Sequence, residues 1–197
     1  MMNRRDALMR VAAFMGATMS FPALADTLEA SVASRAATGA PVFLTADQDV
    51  MVAELAEVII PTTNTPGAKA AKVNEIIDVV LKDCYKPADQ QRFKEGLDRT
   101  NQIAKGSFNK SFVECDNNQR IEVVKMLEQE AKKQRKDMAG APASQRYTPF
   151  FAMLKDLTLM GYFTSEIGCT QALEYVAVPG RYDGCITLKP GQKAWAI

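Results

Sequence analysis

The sequence predicts a mainly α protein: a single-domain helical bundle over residues 45–197 with an irregular, disulfide-tied C-terminal segment. Three observations lead there. Between Thr45 and Ala172 the apolar residues recur three and four positions apart, the spacing of one helix face. Two of these segments open on a capping signature, Thr45-x-x-Gln48 and Asp116-x-x-Gln119. Nowhere does a run alternate polar and apolar residues long enough to build a sheet. The 197 residues are enough to bury one core, and a net charge of +1 gives no electrostatic footprint for nucleic acid.

Residues 1–25 read as an export signal rather than as part of the fold. Arg4-Arg5 opens the run Asn-Arg-Arg-Asp-Ala-Leu-Met-Arg, which resembles a bacterial twin-arginine signal, with Ala7 where such signals usually carry Phe. Val11 to Leu24 is apolar, broken by Pro22 and too short to span a bilayer comfortably. Ala23-Leu24-Ala25 has the A-x-A form of a cleavage site, which starts the mature chain at Asp26. A buried N-terminal helix is the alternative. The route places the mature protein in the periplasm, in contact with a membrane only through partners, and it carries proteins already folded. Residues 26–44, rich in Ala, Ser and Thr, form a flexible lead-in with one short helix over 28–36.

The elements follow in order. A helix from the Thr45 cap runs to about Ile60, with Val50, Leu55, Val58 and Ile59 apolar and Asp47, Glu54 and Glu57 along one side; Pro61 stops it. Pro61 to Gly67 is a loop by composition. The clearest periodicity is Val73, Ile76, Ile77, Val80, Leu81, Cys84, ended by Lys86-Pro87. A third helix covers Ala88 to Lys105, with Phe93, Leu97, Thr100 and Ala104 inward and Gly106 as its stop. After a linker, Asp116 caps a helix with Ile121, Val124, Leu127 and Ala131 inward. That helix ends in Lys132-Lys133-Gln134-Arg135-Lys136, a solvated end that suits the helix dipole. A helix over Thr148–Tyr162 and a short one over Ser165–Ala172 complete the bundle.

The chain has no histidine, which removes Ser-His-Asp and Cys-His nucleophiles, histidine metal sites and histidine-ligated haem. It has no P-loop, no GxGxxG after a strand and no CxxCH. No catalytic, cofactor-binding or metal-binding residue is expected in this chain. Glu166 with Tyr162 or Tyr182 is the one arrangement that an independent enzyme could use; a capping or interface glutamate is the plainer reading. The cysteines Cys84, Cys115, Cys169 and Cys185 are too far apart for zinc or iron–sulfur ligation, and an even number in an exported chain points to disulfides. Of the three connectivities, Cys169–Cys185 around Pro179-Gly180 is favoured, then Cys84–Cys115; buried free thiols are the alternative.

Three blocks carry a resemblance. Ala56-Glu57-Val58-Ile59-Ile60-Pro61-Thr62 with Thr65-Pro66-Gly67-Ala68, then Gly161 to Gln171, then Val178 to Cys185 resemble, in this order, the gluconate 2-dehydrogenase subunit 3 family. They extend over most of the mature chain, about Thr45 to Leu188. The resemblance implies a non-catalytic small subunit whose partner is a large FAD-dependent dehydrogenase of the glucose–methanol–choline type. That partner oxidises a hydroxyl of a sugar or sugar acid, and a cytochrome c subunit with haem often takes the electrons onward. The small subunit would stabilise the flavoprotein and supply its export signal; a stand-alone periplasmic binding or scaffold protein is the alternative.

The partner interface is expected in the second block, at Gly161, Tyr162, Phe163, Thr164, Ser165, Glu166 and Gly168, with Pro61, Thr62, Pro66 and Gly67 of the first loop in reserve. Tyr162 and Phe163 offer large stiff apolar area, and the glycines allow close backbone approach. The competing expectation is that Tyr162 and Phe163 fill the chain's own core.

Overall fold

Thr45 begins the first helix as a true capping box: its hydroxyl accepts from Gln48 N–H at 3.2 Å, and Gln48 Oε1 accepts from Thr45 N–H at 3.1 Å. Helix α1 is Ala46–Ile59 in this computed structural model, which describes residues 40–142, 145–176, 178, 180, 185, 187 and 190–196. Met51, Val52, Ala53, Leu55 and Ala56 are its buried residues, and the expected apolar Val50 points to solvent. Helix α2, Val73–Cys84, buries Val73, Ile77, Asp78 and Leu81 and leaves Cys84 exposed at its end. Helix α3, Pro87–Phe108, has proline in its first turn, where no donor is lost. It runs through Gly106 and stops at Asn109, which takes the left-handed conformation at φ 54°. The expected stop at Gly106 is therefore corrected, since a glycine weakens a helix without ending it unless φ turns positive.

The linker after α3 holds a 3-10 turn, Phe112–Glu114, whose Phe112 is fully buried. Helix α4, Asn117–Asp137, opens on the Asp116–Gln119 capping box and buries Val123, Val124, Leu127 and Ala131. Ile121, expected to face inward, is exposed. Helix α5, Phe150–Thr164, starts later than expected because Pro149 takes the N-cap and disfavours helix at the residue before it. It is apolar on nearly every side and packs against α1, α2, α3 and α4, so it is the centre of the bundle. Around it α2 packs on α1, α1 on α4 and α4 on α3.

Past α5 the expected short helix is a π-helical turn, Gly168–Ala172. Two-residue strands follow, β1 (Glu174–Tyr175) and β2 (Trp195–Ala196), paired in parallel with Glu174 opposite Trp195. All four cysteines are free thiols, which corrects both expected disulfides and the disulfide-tied C-terminus. Their surroundings differ: Cys115 is buried in the core while Cys84 is exposed, and Cys169 Sγ donates to the Phe163 carbonyl while Cys185 is exposed. The parallel pair, together with a bond from Lys193 Nζ to the Gln171 carbonyl, ties residues 193–196 to residues 171–175. Arg4, Arg5, Ala25, Asp26, the 28–36 helix and Tyr182 lie outside the described residues.

The compact unit carrying these elements begins at Val42. There the fully buried Asp78 carboxylate of α2 accepts three successive backbone N–H groups: Val42 at 2.7 Å, Phe43 at 3.0 Å and Leu44 at 2.7 Å. Lys94 Nζ sits 4.1 Å over the Phe43 ring, a second tie between this segment and the helices.

Candidate functional site

The first block is organised by Glu57, in the last turn of α1. A carboxylate there opposes the helix dipole, so something must compensate it. Its Oε1 accepts from Thr62 N–H at 2.9 Å and Thr62 Oγ1 at 2.7 Å, and its Oε2 accepts from Lys69 N–H at 2.9 Å. Thr62 Oγ1 in turn accepts from Gly67 N–H at 3.1 Å, and Ala68 N–H donates to the Ile60 carbonyl at 3.0 Å. Charge-assisted bonds of this kind are the strong ones, and here they lock an exposed loop to the end of a helix. Just behind the loop, the shielded Glu54 carboxylate takes Arg120 at 2.6 Å and also Lys69, while Arg120 Nη2 donates to the Val113 carbonyl at 2.6 Å.

Gly67 is required by this packing. A Cβ there would lie 2.4 Å and 2.5 Å from the Glu57 carboxylate oxygens and 2.6 Å from Thr62 N. Gly67→Ala is expected to destabilise the protein by about 1–3 kcal/mol, because the group that must move is held by three hydrogen bonds. Gly106→Ala, with nothing within 4 Å of the added carbon and a helical backbone, should instead stabilise by roughly 0.5–1 kcal/mol. Urea midpoints of the two variants check the contrast.

The second block meets the first through Tyr162. This side chain is 2% exposed, and its hydroxyl donates to the Pro66 carbonyl at 2.6 Å. Gly161 lets α5 approach α2: its Cβ would stand 3.1 Å from Val73 Cγ1. Ser165 Oγ donates to the Tyr162 carbonyl at 2.6 Å and accepts from Gly168 N–H at 3.0 Å, which turns the chain at the end of the helix. A Cβ on Gly168 would fall 1.8 Å from the Tyr162 carbonyl oxygen, so no side chain fits.

The residues named from sequence therefore divide. Gly161, Tyr162 and Gly168 face inward, Ser165 is half-buried, and Phe163, Thr164 and Glu166 face outward. In the loop Pro61 and Thr62 are exposed, Pro66 is half-buried and Gly67 is buried. The core expectation holds for Tyr162 and fails for Phe163, which is 41% exposed and packs edge-on to the Tyr162 ring at 5.2 Å. The roles of Glu57 and Asp78 are signalled in the sequence only indirectly. Both could have been found as carboxylates in awkward places, one at a helix C-terminus and one within an apolar helical run.

Little in this arrangement converges on a reacting atom. The Tyr162 hydroxyl is used inside the fold, while Glu166 is exposed after the helix. Burial pushes the Cys115 thiol above its ordinary range. Among the described residues no group of three His, Cys, Asp or Glu side chains is placed to share a metal ion. A groove of about 360 Å³ lies between α3, α4 and the first turn of α5, roughly 16 Å along α5 from Gly161. Its cations are spoken for: Arg99 pairs with Glu130 at 2.5 Å, and Arg92 pairs with Asp89 and stacks 5.0 Å over Tyr147.

No curated protein and no solved structure matches the chain. A family model does: that of gluconate 2-dehydrogenase subunit 3, over residues 46–180. The match starts with α1, takes in the Glu57 loop and the Tyr162 turn that bonds to it, and covers well over half of the sequence. On that ground the chain belongs to the gluconate 2-dehydrogenase subunit 3 family.

Proposed function

We propose that this protein is the non-catalytic small subunit of an exported, FAD-dependent dehydrogenase complex acting on a sugar or sugar acid. It stabilises the large flavoprotein subunit and carries the twin-arginine signal that takes the pair to the periplasm. The family match over 46–180 is the observation that carries the reading. The glycines agree with it. A loop that cradles a dinucleotide needs open space and donors beside its glycines, whereas the space at Gly67 is filled by the Glu57 carboxylate and that at Gly168 by the Tyr162 carbonyl. A carboxylate at that point would repel a phosphate. In this reading FAD is held by the large partner, and a haem c by a third subunit where electrons leave by a cytochrome.

One experiment tests the reading. The tagged full chain is co-expressed with the large FAD subunit encoded in the same genome, once as it stands and once with Arg4→Lys and Arg5→Lys. The expected result is a flavin-containing complex from the periplasm in the first case and both chains retained in the cytoplasm in the second. Dehydrogenase turnover by the chain purified alone, with an artificial electron acceptor, would overturn the subunit role. A flavoprotein that reaches the periplasm beside the Lys variant would overturn the export role.

A further inference from the structure

We propose that the outward face of the last turns of α5, formed by Leu159, Met160 and Phe163, is the surface that docks the large subunit; this rests on the subunit reading above. The three side chains are 37%, 41% and 41% exposed. At positions i, i+1 and i+4 they share one face of the helix. Single exposed apolar residues are ordinary on a protein surface, but three adjoining ones on one helix face form a patch. The patch sits on a rigid support. Tyr162 behind Phe163 is bonded to the Pro66 carbonyl, and the carbonyl of Phe163 itself accepts from Cys169 Sγ. The exposed Pro61–Asn64 segment is joined to it through the same Tyr162 bond and is fixed by Glu57. Support of this kind lowers the ordering entropy that binding would otherwise cost.

The charges around the patch state the chemistry of the occupant. Asp156, exposed, lies one helical turn before Leu159 and Met160, the exposed Glu166 follows three positions after Phe163 past the helix end, and Lys155 is the cation one turn before Leu159. The complementary surface is apolar at its centre, with a pocket for an aromatic ring, and carries Lys or Arg at its edge. The inward residues of the Gly161–Gly168 block take no direct part. They hold Phe163 in place, which narrows the interface from the block as a whole to the outward face of the last turns of α5.

The test uses the full tagged chain co-expressed with the large subunit and reads flavin absorbance per tagged chain in the purified material. Met160→Glu and Phe163→Ala are each compared with Met126→Glu, an equally exposed methionine on α4. Circular dichroism of the purified tagged chains confirms equal helicity. The expected result is roughly tenfold less flavin per chain for both α5 variants and an unchanged ratio for Met126→Glu. An unchanged ratio for the α5 variants would overturn this surface and leave the subunit role standing. An equal loss from Met126→Glu would overturn it as well. If the unaltered chain brings down no flavin, the subunit role falls and this proposal with it.

Discussion

Tyr162→Ala is expected to destabilise the folded domain by about 3–5 kcal/mol, the range for removing a large buried ring from a packed core. The ring is nearly inaccessible, and its hydroxyl ties α5 to the 61–67 loop. Tyr162→Phe separates the ring from its hydroxyl. It leaves the packing and removes one hydrogen bond, so a loss of about 1 kcal/mol is expected, with the Pro66 carbonyl left short of a donor. Urea unfolding of both variants decides the matter. Similar large losses would make the hydroxyl the main contributor, and small losses from both would remove Tyr162 from the core.

Asp78→Ala has the second large effect. The carboxylate gathers three backbone N–H groups, and the Leu44 donor is itself buried. Removing it strands three donors at once, that of Leu44 away from water, and a loss of about 3 kcal/mol is expected. Asp78→Asn keeps one oxygen for Phe43 and Leu44 but turns an amide donor toward Val42, so it should lose less than the alanine variant. Limited proteolysis gives an independent check: cleavage between residues 40 and 45 should quicken in Asp78→Ala well before the helices unfold. Unchanged cleavage there, with unchanged stability, would show that the clamp contributes nothing.

What was legible in the sequence was what short range decides. Both capping boxes lie where Thr45-x-x-Gln48 and Asp116-x-x-Gln119 put them, because the partners are three residues apart. The stripe of α2 was legible because Val73, Ile77 and Leu81 repeat. The misreadings came from residues whose meaning depends on distant partners. Gly106 resembled a stop, but the backbone turns left-handed only at Asn109. Cysteine parity suggested bridges, yet pairing needs the chain to bring two thiols together, and one member of the Cys84–Cys115 pair is buried while the other is exposed. Glu57 was a letter in a motif, and Asp78 a lone acid between the apolar positions of α2. Their importance rests on which N–H groups come to them, and for Asp78 those lie more than thirty positions away along the chain.

The bond between Tyr162 and Pro66 spans 96 positions, and α5, the central helix, is the last of the described α-helices to be made. Contacts of such separation form only after a long loop has closed, which slows folding and delays it during synthesis. Helices α1 to α4 thus leave the ribosome with their apolar faces still lacking the element that covers them. The core can close only once residue 164 is out. In that interval the exposed helices are open to chaperones and to aggregation. Truncations before α5 should accordingly give no folded domain at all, however many of the earlier helices they retain.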